Sequence, residues 1–120
     1  MSTSKVHMFK DTQSFNDFIE ENEFVVVNFY ALWKIQSSHM NSKFSQLSEE
    51  HPEVKFVQVD IDEMGELSED YGVSEIPTFK FLRNTSVVDG FSGAQSDTLT
   101  KKVEAFSEDA KAAKEPETAD

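Results

Sequence analysis

The segment Phe24–Tyr30 is apolar at every position except Asn28. Side chains of a strand alternate between its two faces, so an unbroken apolar run indicates a strand that is covered on both sides. Helices have to pack on both faces of a sheet that contains such a strand. The segment therefore predicts an α/β domain in which this strand lies at the centre.

The rest of the chain alternates between strand and helix patterns. Strands are expected at 6–9, 54–61, 78–82 and 87–91, and helices follow Asp11, Trp33, Asp62 and Ser96, with Asp11, Asp62 and Ser96 as N-caps. The predicted order is βαβαβαββα, a mixed sheet with helices on both faces. We expect one domain over residues 1–106. Residues 107–120 lack large apolar side chains and are acidic, which predicts a disordered tail or linker.

Composition excludes several classes of function. The 120 residues include no cysteine and carry a formal charge of −12. Without cysteine the chain cannot form disulfides or thiolate metal sites, and the three histidines share no ligand spacing, so no metal or cofactor is expected. The negative charge disfavours nucleic acid and anionic membranes and favours a basic protein partner. No run is apolar enough for a signal or membrane segment, so a cytoplasmic or nuclear location is expected.

Four separated stretches resemble the thioredoxin family. They lie at 25–33 (VVVNFYALW), 57–62 (VQVDID), 71–79 (YGVSEIPTF) and 91–94 (FSGA), in the order in which the family has them. The resemblance covers about residues 6–106. It implies the thioredoxin fold, including a cis peptide bond between Ile76 and Pro77.

The resemblance also implies that the active site of the family has been lost here. The family's Cys-Gly-Pro-Cys motif corresponds to Lys34-Ile35-Gln36-Ser37, and its buried acid corresponds to Asn28. Thiol–disulfide exchange needs a thiolate, which neither an amine nor a hydroxyl replaces. An amide cannot titrate either. The chain is therefore expected to be redox-inactive and not an enzyme.

Two surfaces are candidate partner sites. The family's client-binding groove maps to Trp33, Ile76, Pro77, Gly93 and Ala94, although these residues also have a purely structural interpretation as supports of the loop. The second surface is an acidic face, for which an ordinary solvated helix surface is the alternative. Its residues are Glu63, Glu66, Glu69 and Asp70.

Within the family, Trp33, Gln36, Met40 and Asn41 resemble the amino-terminal domain of multidomain monothiol glutaredoxins. This implies a non-catalytic protein-interaction domain, namely the targeting or partner-binding part of a monothiol glutaredoxin that acts in iron–sulfur or redox homeostasis. Two alternatives remain open. One is a chaperone-like holdase that binds clients through the apolar groove, and the other is a residual thioredoxin-type oxidoreductase.

Overall fold

The computed structural model of the chain describes residues 4–114. Five strands and four helices occur in this part of the chain, in the predicted order. They are β1 (Val6–Met8), α1 (Thr12–Glu21), β2 (Phe24–Tyr30), α2 (Ile35–Glu50), β3 (Lys55–Asp60), α3 (Gly65–Asp70), β4 (Thr78–Arg83), β5 (Ser86–Ser92) and α4 (Ser96–Lys114).

The five strands form one mixed sheet in the order β1-β3-β2-β4-β5. The central strand β2 is parallel to β3 and antiparallel to β4, and all seven of its residues are buried. Phe24 and Val26 belong to a core cluster with residues of α2 and α4. Val25 and Val27 belong to a second cluster with residues of α1 and α3. The alternation confirms that helices cover both faces of this strand.

The three predicted N-caps have different outcomes, and Ser96 is not a cap, because it is the first residue of α4 itself. The Asp11 carboxylate accepts a hydrogen bond of 2.8 Å from the Ser14 amide at the start of α1. That bond holds the pKa of Asp11 below its ordinary value. The prediction for Asp62 is wrong, because α3 begins only at Gly65 and has no side-chain cap. Asp62 instead lies in the turn between β3 and α3, where its carboxylate is available to another part of the molecule.

The last helix also differs from the prediction, because it continues to Lys114 instead of ending near residue 106. Ser107 and Ala110 are buried in this extension. The Ser107 hydroxyl donates a hydrogen bond to Glu53 Oε2, which also lies 3.5 Å from His51 Nδ1. Residues 107–114 therefore belong to the domain and not to a tail. Residues 115–120 of the predicted tail lie outside the described residues.

The peptide bond between Ile76 and Pro77 is cis, as the resemblance implied. The Pro77 carbonyl accepts a hydrogen bond of 2.8 Å from the Gly93 amide. This bond ties the loop before β4 to the end of β5. Among residues 4–114 no helix is both long and apolar enough to cross a membrane.

The position of Ala110 gives a test of the longer helix. Ala110→Glu should lower the free energy of unfolding by about 1–3 kcal/mol, because a large charged side chain has no room at a fully buried alanine. Ala112→Glu places the same side chain at an exposed position of the same helix and should change stability by less than about 0.5 kcal/mol. Urea unfolding followed by circular dichroism measures both. Equal effects would show that residues 107–114 do not pack on the domain.

Candidate functional site

The candidate site lies where β2 and β3 end. These strands are parallel, with Tyr30 in register with Asp60, so their carboxyl ends meet at the same edge of the sheet. The Ile61 amide donates a hydrogen bond of 3.0 Å to the Tyr30 carbonyl, which keeps the two following segments side by side. Ligands of open α/β sheets bind at this kind of edge. The loop after β2 then leads into α2 at Ile35.

The four residues at the degenerate active site have different environments. Lys34 is the N-cap of α2 and makes no side-chain cap. Ile35 is 72% exposed, although an isoleucine is usually buried. Gln36 is exposed, whereas Ser37 is fully buried.

Ser37 has a structural role that its place in the motif did not reveal. Its hydroxyl oxygen accepts a hydrogen bond of 3.2 Å from the Ala31 amide. The bond connects the first turn of α2 to the end of β2 and satisfies a buried backbone donor, which would be costly to leave without a partner. The second thiol position is therefore occupied by a hydroxyl that holds the loop in place.

The buried-acid position is occupied by one half of an amide pair. Asn28 is fully buried, and its Nδ2 donates a hydrogen bond of 2.7 Å to Oδ1 of Asn41 on α2. Within residues 4–114, Asn28 Oδ1 has no hydrogen-bond partner. Asn41 therefore has a structural role, because its amide oxygen satisfies the buried Nδ2 donor of Asn28. With an amide in place of the acid, the buried-acid position has no titratable group.

A cavity of about 430 Å³ lies beside the degenerate motif. Four of the five predicted groove residues line it, namely Trp33, Ile76, Gly93 and Ala94. Pro77 does not line it: this residue is buried, and its carbonyl positions Gly93 from behind. Pro77 is therefore a buried neighbour of the cavity and not part of its lining, and its part in partner binding stays a prediction.

The cavity is also more polar than the sequence indicated. Lys34, Gln36, Ser74 and Glu75 complete its lining, so both signs of charge are present. Ser74 and Glu75 precede Ile76 directly in the chain, and this adjacency was the signal that could have identified them. Their exposure depends on the path of the loop, which apolar spacing does not specify.

Trp33 is the most prominent side chain of the site. It is 64% exposed, and its Nε1 donates a hydrogen bond of 3.1 Å to Asp62 Oδ2. This bond fixes the edge of the indole and leaves much of the ring in contact with solvent. Asp62 is thus a supporting residue of the site that the sequence analysis had assigned to a helix cap.

The four residues of the predicted acidic face are all exposed. Glu63 and Glu66 line a shallow cavity of about 290 Å³ with Lys10 and Asp11, and Glu69 and Asp70 end α3 outside that cavity. Negative charge does reach the candidate site. Burial raises the pKa of the Tyr30 phenol, and the charges of Asp60 and Glu63 raise it further.

Known proteins resemble this chain both in sequence and in fold. The thioredoxin family model matches residues 5–105. Glutaredoxin-3 of Mus musculus is 40% identical over 86 residues, which cover 72% of this chain and 26% of that protein. Thioredoxin-like protein CXXS1 of Oryza sativa subsp. japonica is 35% identical over 112 residues, which cover 90% of this chain and 84% of the relative. The structure of Fasciola hepatica thioredoxin superposes with a TM-score of 0.80 at 31% identity, and 83% of this chain and 98% of that chain are covered.

The chain spans about a quarter of the length of the glutaredoxin-3 relatives that it matches. The resemblance that was inferred from four separated motifs is confirmed, and so is the predicted mixed-sheet fold. The similarity to glutaredoxin-3 also confirms the resemblance to multidomain glutaredoxins. Because the family model matches most of the chain, the chain belongs to the thioredoxin family, as a member without cysteine.

Proposed function

We propose that this chain is a non-catalytic protein-interaction domain, and that protein partners bind at the cavity lined by Trp33, Ile76, Gly93 and Ala94. One observation carries the proposal. The residues that could recognise a partner are present, with the exposed ring of Trp33 beside Ile76 and Ala94, whereas the groups that would do chemistry on the partner are replaced. Exposed aromatic surface of this kind is typical of interaction sites.

The replaced groups support the non-catalytic part of the proposal. Exchange begins when a thiolate attacks a disulfide sulfur, and the sequence has no thiol. The Ser37 hydroxyl is buried and hydrogen-bonded to the backbone, so it is not placed as a substitute nucleophile. The Asn28 amide, which is bonded to Asn41, cannot transfer a proton as a carboxylate does.

The similarity to glutaredoxin-3 supports a more specific version. This chain corresponds to about a quarter of that protein, which leaves room there for regions that this chain does not match. We therefore propose that the domain acts as the targeting or partner-binding part of a monothiol glutaredoxin in iron–sulfur or redox homeostasis. In this role it would bring partners to chemistry that is carried out elsewhere.

The first prediction from this proposal concerns the exchange reaction. The protein should not accelerate the reduction of insulin by dithiothreitol above the rate without protein, because no thiolate is available. The double variant Lys34→Cys with Ser37→Cys should form a reducible disulfide and give a measurable rate, because the two positions begin α2 as in active thioredoxins. Each single variant is the matched control and should remain inactive in turnover. A rate above the blank for the unaltered protein would contradict the proposal.

The second prediction concerns recognition. Peptides can be selected from a random phage-displayed library against the protein, and their affinities measured by calorimetry. Trp33→Ala and Ile76→Ser should each weaken binding, the former by about 2 kcal/mol, because a central aromatic side chain contributes on that scale. Val88→Ala removes an exposed apolar side chain from β5, away from the cavity, and should leave affinity unchanged. Selected peptides that bind Trp33→Ala as tightly as the unaltered protein would exclude the cavity as the site.

A further inference from the structure

Three large apolar side chains project into solvent where the chain passes from β2 into α2: two lie in the loop, and the third belongs to the first residue of α2. Leu32 is 73% exposed, Trp33 is 64% exposed and Ile35 is 72% exposed. Single exposed apolar residues are common, but three within four positions concentrate exposed apolar area in one segment, which is typical of an interaction surface. Leu32 and Ile35 do not line the cavity of the proposed site. We call these three residues the apolar loop.

A turn with three carboxylates lies against the apolar loop. The acidic turn consists of Asp60, which ends β3, and of Asp62 and Glu63, which lie between β3 and α3. A hydrogen bond from Trp33 Nε1 to Asp62 joins it to the apolar loop, and one from the Ile61 amide to the Tyr30 carbonyl joins it to the end of β2. The amides of Glu63 and Met64 both donate to the Asp60 carbonyl, so the turn has a defined shape of its own.

Basic residues near this surface do not cancel its charge. Lys34 lies within the loop, and Lys10 lines the shallow cavity that contains Glu63 and Glu66. The net charge of the chain is −12, so its overall field also attracts cations. The Asp62 carboxylate is held beside the exposed ring by the hydrogen bond from Trp33 Nε1, and Asp60 Oδ1 accepts a hydrogen bond of 2.9 Å from the Asp62 amide. Negative charge therefore lies at the edge of the apolar loop.

We infer that the partner segment that binds this surface combines apolar side chains with lysine or arginine. The apolar side chains would contact Leu32, Trp33 and Ile35, and the cations would face the acidic turn. Complementary charge of this kind fixes the register of a partner and accelerates its association. The inference rests on the proposed function, because Trp33 belongs both to the cavity and to the apolar loop. A second copy of the chain is a poorer occupant, since it would bring two acidic turns together.

The test uses Trp33, the one tryptophan of the sequence, as the reporter. Three synthetic peptides without aromatic residues are titrated into the protein: one of leucine and lysine, one in which glutamate replaces lysine, and one in which serine replaces leucine. The leucine–lysine peptide should shift the emission of Trp33 to shorter wavelength and saturate, because apolar side chains cover the indole. The other two should bind at least about tenfold more weakly, since each lacks one half of the recognition.

Matched variants assign the two halves of the surface. The pair Leu32→Ser with Ile35→Ser should weaken the leucine–lysine peptide about tenfold, whereas Val87→Ser with Val88→Ser removes exposed apolar side chains from β5 and should have no effect. Glu63→Gln should weaken binding about threefold and reduce its dependence on salt. Glu69→Gln removes the same charge near the carboxyl end of α3 and should change neither the affinity nor its dependence on salt. Circular dichroism verifies that each variant is folded.

The outcomes separate this inference from the proposed function. If Ile76→Ser weakens peptide binding and Leu32→Ser with Ile35→Ser does not, the cavity is the site and the apolar loop is not. If the loop variant weakens binding and Ile76→Ser does not, the loop binds and the proposed cavity is wrong. Equal binding of the glutamate peptide, or of the serine peptide, would overturn the chemistry assigned to the partner. A shift of Trp33 emission with protein concentration alone, matched by dimerisation in sedimentation, would identify a second copy as the occupant.

Discussion

The burial of β2 on both faces is the constraint on which the structure depends. Its residues alternate between two core clusters, one shared with α2 and α4 and the other with α1 and α3. Each cluster can form only if the strand is held between the two layers of helices, so the sheet order and the helix placement follow from one segment. The candidate site inherits this rigidity, because its loop leaves the end of the most buried strand and enters α2, and the Ser37–Ala31 hydrogen bond connects the two elements.

Much of this architecture could be predicted from sequence, because burial of large side chains leaves a periodic pattern. The strands, the order of the elements and the inward residues of α2, such as Met40, Phe44 and Leu47, were all recognisable in this way. The end of α4 was not. There the helix packs through Ser107 and Ala110, and small side chains that allow close approach carry no apolar signal.

The site shows the same division. The degenerate motif could be located by resemblance because it occupies fixed positions between a strand and a helix. What the replacements do could not be predicted, because it depends on contacts between distant segments. Asn28 on β2 is hydrogen-bonded to Asn41 on α2, and Asp62 in the turn after β3 is hydrogen-bonded to Trp33 in the loop after β2. Hydrogen bonds of this kind are set by the geometry of the folded chain and have no counterpart in local spacing.

The bond between Trp33 and Asp62 has a consequence for the thermodynamics of any association at this surface. An exposed aromatic side chain normally samples several rotamers, and a partner that immobilises it must offset the lost conformational entropy, on the order of 0.5–1.5 kcal/mol for each immobilised side chain. Here the indole is already restrained in the free protein by a hydrogen bond to a neighbouring turn. Part of that entropic cost was therefore met when the chain folded, because the bond to Asp62 favours one orientation of the ring before a partner binds.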